Sequence, residues 1–100
     1  MADKPKVIDE IWDDARVRQF LHARPPEGVD QDFHRLLMAY LGMRPDDFRR
    51  YLDFFLADGG NLEARDRAGR RVHDVIGRHR HSAPFLEHLE AAARAVQDPA

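Results

Sequence analysis

The chain has 100 residues, room for one small domain, and its 43% hydrophobic and 34% charged residues suit a thin core under a charged surface. Sixteen basic and 18 acidic side chains leave a formal net charge of -2, which argues against a globally basic nucleic-acid binder. The absence of cysteine excludes a disulfide framework, a thiolate zinc site and a cysteine nucleophile, and it fits a reducing cytoplasm.

The opening MADKPKVIDE has no apolar core for a secretory signal. The longest apolar stretch, 36–43, falls far short of the ~20 residues that a membrane span needs. A cytoplasmic protein without membrane partners is expected. Residues 1–6, polar and carrying Pro5, read as a frayed tail. From Val7 to His22, Ile8, Ile11, Trp12 and Ala15 recur at the helical period, with Asp9 and Glu10 in the first turn where the dipole favours them. Val17, Phe20 and Leu21 continue that stripe.

Arg24-Pro25-Pro26-Glu27-Gly28 stops this helix, and 23–30 reads as an ordered connection. Asp30 is an N-cap for a second helix, 31–41, with Phe33, Leu36, Leu37, Tyr40 and Leu41 on its apolar side and Gly42 as its stop. Pro45 opens a third helix beside Asp46 and Asp47. Phe48, Tyr51, Leu52, Phe55 and Leu56 form its stripe, and Phe54 widens that stripe enough to be the aromatic most open to a partner or a second copy.

Gly59-Gly60 ends the third helix. Asn61 to Gly69 is a turn-rich finger with Leu62 and Ala64 pointing inward. Val72 to His79 is a short helix weakened by Gly77. Ser82 reads as the N-cap of a last helix with Pro84 in its first turn and an apolar face of Phe85, Leu86, Leu89, Ala92, Ala93 and Val96. The expected fold is all-α, five helices with one finger-like loop in a single domain.

The run from Phe55 to Arg70 resembles the junction between ankyrin repeats, roughly LLxxGAxxNxxDxxGxT, with Gly59, Asn61, Leu62, Asp66 and Gly69 on the pattern. Where that family has Thr-Pro-Leu-His, this chain has Arg71-Val72-His73-Asp74. Offset by 37, Phe48 aligns with Phe85, Tyr51 with His88 and Leu52 with Leu89, so 30–41/45–58 and 72–79/83–97 become two helix-turn-helix units. The resemblance implies two degenerate ankyrin-like units at 30–97, with the helix at 7–22 capping the stack. It also implies binding through the finger and inner-helix face, here Glu63, Arg65, Arg67, Arg70, Arg71 and Asp74. The phrase from Arg24 to Leu37 is similar to that of a small bacterial group with no attached activity.

Of the constellations that could carry chemistry, the histidines come first. His73, His79, His81 and His88 are spaced 6, 2 and 7 apart, never i, i+4, and no HExxH is present, so no metal site is predicted. Asp13-Asp14 and Asp46-Asp47 diverge by about 100° on a helix and make no dyad. No nucleophile elbow or phosphate-binding glycine loop occurs, and neither catalysis nor a cofactor is expected.

The local charge anomaly is basic. Between Arg65 and His81, six arginines (65, 67, 70, 71, 78, 80) face Asp66 and Asp74, giving +4 there and leaving -6 for the rest. The expectation is a non-catalytic interaction module that uses these arginines to bind an acidic protein surface. A nucleic-acid regulator using the same patch is the alternative, although no aromatic is interleaved for stacking. A small metal protein built on the histidines is a further one. Self-association through an uncapped end of the stack is compatible with the first.

Overall fold

The computed structural model describes residues 12–97. The expectations for the tail at 1–6, for Asp9 and Glu10, and for the first helix before Trp12 lie outside the described residues. Within them the chain forms five α-helices and no strand. These are α1 (Asp14–Arg18, followed by a 3-10 turn at Gln19–His22), α2 (Gln31–Gly42), α3 (Pro45–Ala57), α4 (Val72–Ile76) and α5 (Ala83–Gln97).

Helix α1 does not continue back through Trp12. Asp13 has extended backbone, and its carboxylate accepts the N–H of Arg16 at 2.9 Å, so it is the cap that starts the helix. Ala15, expected on the apolar stripe, is exposed, while Val17 is fully buried. Asp30 caps α2 by accepting from the Phe33 N–H at 3.0 Å, and Pro45 opens α3.

The buried side of α2 is rotated from the expected one. Arg35, Leu36, Ala39 and Met43 line it with Phe33, and Leu41 on the far side is 62% exposed. Gly42 stays helical rather than ending the helix in the left-handed region. Its missing side chain has another use, because a Cβ there would stand 2.8 Å from the Phe20 ring.

Helices α2 and α3 are joined by a short link and pack on each other, α3 also packs on α1 and α5, and α2 packs on α4. A run of rings binds the layers. Tyr40 meets Phe85 edge-on at 4.7 Å, Phe85 meets Phe48 at 5.2 Å, and Phe48 continues to Tyr51 and Phe55. Val17, Leu36, Ile76 and Leu89 fill the space around them with no exposure. Val96, at the end of the α5 stripe, runs past this core and is 55% exposed.

Helix α4 ends at Ile76, three residues earlier than expected, with Gly77 closing it. Ser82 does stand at the start of α5, where its carbonyl accepts the Leu86 N–H. Its hydroxyl, however, donates to the His79 carbonyl at 3.0 Å, so it stabilises the preceding turn instead of capping the helix. No helix among the described residues is long and apolar enough to cross a membrane.

Candidate functional site

The finger is a tight hairpin-like loop. Arg65 and Arg71 pair across its base, and the Asp66 N–H donates to the Arg70 carbonyl at 2.9 Å. The Asp66 carboxylate organises the tip by accepting from the N–H groups of Ala68 and Arg70, each at 2.9 Å, and from the Arg70 side chain. These bonds, the Arg70 backbone N–H foremost, hold its pKa below the usual carboxylate value. Gly69 takes the left-handed conformation (φ 81°) that closes the turn. At the root, the Asn61 carboxamide accepts the Glu63 N–H, while Leu62 and Ala64 point into the core as expected.

The six proposed contact residues fall into two groups. Glu63, Arg71 and Asp74 are tied to one another: Arg71 donates to Glu63 at 3.0 Å, and Asp74 accepts the Arg71 N–H at 3.0 Å. That last bond starts α4 without the Thr and Pro of the ankyrin pattern. Arg70 is paired with Asp66 at 2.9 Å.

Arg65 and Arg67 differ. Arg65 donates to the Gly69 carbonyl at 2.8 Å. Arg67 reaches 40 residues back, donating to the Glu27 carbonyl at 2.7 Å and the Gly28 carbonyl at 3.1 Å. Neither guanidinium makes an ion pair with a described carboxylate, so both positive charges face solvent unneutralised. Arg78 and Arg80 are exposed in the turn before α5.

The Arg67 strap is received by a built turn. The Val29 N–H donates to the Pro26 carbonyl at 3.1 Å, and Gly28 between them has φ 85°. Between this turn, α2 and the fingertip runs a groove of about 390 Å³, lined by Pro26, Val29, Phe33, His34 and Leu37 on one side and 66–68 and Arg70 on the other.

Phe54 is not the open aromatic expected. It is half-buried, with the Arg18 guanidinium 5.0 Å from its ring centre. The large apolar side chains that do face solvent are Leu41 and Val96.

The histidines do not converge. His79 Nδ1 is 2.8 Å from the Tyr40 hydroxyl, and its ring stacks on Tyr40. His73 is half-buried on α4, and its Nδ1 has no hydrogen-bond partner. Burial, with Arg71 nearby, lowers the His73 pKa. Among the described residues no three His, Asp or Glu side chains are grouped to hold a metal.

Sequence reasoning missed Arg35. Its side chain is buried in α2 and donates to the Leu21 carbonyl (3.2 Å), Asp58 (3.0 Å) and Asp32 (2.6 Å), with its guanidinium over the Phe55 ring. Burial opposes its charge, but the bonds it donates to Asp58 and Asp32 prevail and its pKa is raised. Asp32 also accepts the Asn61 N–H at 2.8 Å, so the buried arginine is linked to the finger's root. The only sequence signal was Asp32 three positions before an arginine amid apolar residues.

The chain matches no family model, no curated protein and no solved structure.

Proposed function

We propose that this chain is a non-catalytic, ankyrin-like interaction module that binds an acidic protein surface through its finger and the start of α4. The observation that carries this reading is the state of Arg65 and Arg67. Both sit on an exposed loop, both are held by carbonyl oxygens, and neither is neutralised by a described carboxylate. A guanidinium fixed by neutral acceptors keeps its full charge and loses little freedom on binding, which favours fast, oriented capture of an anionic surface. The ankyrin-like part is supported by the packing of α3 on α5 and α2 on α4 and by the hairpin form of the finger. A cytoplasmic adaptor in a bacterial cell is the setting this reading assigns.

The test is capture of partners from the source cell's lysate by the wild type, by Arg65→Gln/Arg67→Gln, and by Arg65→Lys/Arg67→Lys, each checked to be folded. The glutamine pair keeps donors and removes charge, whereas the lysine pair keeps charge. A protein held by wild type and the lysine variant but lost by the glutamine variant is the expected result. Equal capture by all three overturns the reading. Capture of nucleic acid alone, with steep loss as salt rises, replaces it with the regulator alternative.

A further inference from the structure

Resting on the reading above and going beyond it, we propose that the groove beneath Arg67 receives a short partner segment carrying one large apolar side chain next to an acidic residue. The groove's two sides differ in chemistry. Its floor and near wall are apolar except for the His34 imidazole: Pro26 is exposed, Val29 and Leu37 are half-buried, and Phe33 closes the bottom. A volume of about 390 Å³ lies in the range of pockets that hold compact ligands, and it accommodates one aromatic or branched side chain with its backbone.

The far wall is the fingertip, and its charge is settled by how the groups are spent. Asp66 is the carboxylate in the lining, and both of its oxygens are occupied by the finger's own N–H groups and by Arg70. Arg67 has five N–H donors, of which Nε and one Nη2 donor are given to the Gly28 and Glu27 carbonyls. Its Nη1 donors have no partner among the described residues. The groove therefore presents an apolar floor and one net positive edge with unspent donors in a fixed plane. The complement is an apolar anchor flanked by a carboxylate.

The site is also preorganised. The strap to Glu27 and Gly28 holds Arg67 across the groove mouth, and the Asp66 bonds hold the tip, so little ordering cost remains for binding. The groove is open to solvent rather than enclosed, which fits a segment of chain lying in it. It does not enclose a free small molecule.

The probes are fluorescein-labelled hexapeptide pools of three kinds. The first has a fixed Phe or Leu flanked by Asp or Glu. The second replaces the apolar position by Ala, and the third replaces the acids by Asn or Gln. Fluorescence anisotropy should show the first pool binding and each other pool weakened about tenfold or more. Two folded variants that leave the finger's arginines intact, Leu37→Gln in the floor and Ala68→Glu at the tip, should each weaken the first pool by a similar factor. Arg49→Gln, an exposed arginine on α3 outside both the groove and the finger, should change it less than about twofold. Amide shifts on titration should centre on Val29, Leu37 and Ala68.

Three results overturn the groove. One is no binding by the first pool. Another is binding that ignores both Leu37→Gln and Ala68→Glu. The third is a free aromatic carboxylic acid that binds as tightly as the peptides, which would make this a small-molecule site. If the groove variants have no effect while Arg65→Gln/Arg67→Gln abolishes binding or lysate capture, the acidic-surface reading stands and the groove fails alone. If the glutamine pair also captures like wild type, both fail.

Discussion

Phe48 and Phe85 meet edge to face with ring centres 5.2 Å apart, at an interplanar angle of 66°. They are also the first of the residues aligned by the 37-residue offset in the sequence, so two positions of that echo touch in the core. Truncating either ring to Ala should cost about 3–5 kcal/mol, since both are buried. A double-mutant cycle read by urea denaturation should leave a coupling of about 0.5–1.5 kcal/mol between them. Strict additivity would show that the rings are neighbours without being partners.

Arg35 should be replaceable by neither Lys nor Met. Lysine has a compact ammonium and cannot span the Leu21 carbonyl, Asp32 and Asp58 together. Asp58 is more than half exposed and can be rehydrated, so the cost of Arg35→Met falls mainly on the stranded Leu21 carbonyl and the lost packing on Phe55. We expect about 2–3 kcal/mol for Arg35→Met and about 1 kcal/mol for Asp58→Asn, measured by denaturant midpoint at unchanged slope. A larger effect for Asp58→Asn than for Arg35→Met would contradict this account.

Gly42 offers a test of sign. In an exposed helix, Gly→Ala gains up to about 1 kcal/mol. Here the new methyl would press on a Phe20 ring already stacked on Trp12, so Gly42→Ala should destabilise by about 1 kcal/mol or more. In a Phe20→Ala background the same substitution should become stabilising. Thermal melts of the four proteins decide it.

His73 ties stability to pH. Its folded-state pKa is lowered from the ordinary 6.5 because burial disfavours the imidazolium, and Arg71 adds to this. The unfolded chain therefore binds the proton first as pH falls. The His73 contribution is fully present above about 6.5 and is lost progressively as pH drops from there toward the folded-state value. His73→Leu should flatten the stability profile in that window and leave it unchanged near pH 8. An identical profile for both proteins would place the imidazole in water.

The sequence made α3 and the finger legible, and the reasons are local. Pro45, the Phe48–Tyr51–Leu52–Phe55 stripe, and the Gly59, Asn61, Asp66 and Gly69 turn residues each act within a few positions of themselves. Helix α2 was harder to read because its burial is decided elsewhere. Asp58 and the Leu21 carbonyl bring Arg35 inward and turn Leu41 out, and nothing within 31–42 announces either partner. Gly42 does stand where the helix ends, but the space it leaves answers to Phe20, which the sequence of α2 does not show. The arginines of the patch were visible, but which of them were already spent depended on carbonyls up to 40 residues away.

The Arg67 strap has a consequence for how this protein can drift in sequence. It grips main-chain oxygens, so the side chain at Glu27 is free to change without loosening the finger. Gly28 is not: it needs a left-handed backbone, and a Cβ on it would collide with the Arg67 guanidinium. Substitution at 28 should therefore cost stability even beside a shorter residue at 67, which removes the collision but not the strained backbone. In a deep mutational scan, position 28 should accept little but glycine, and shortening residue 67 should recover only part of the loss.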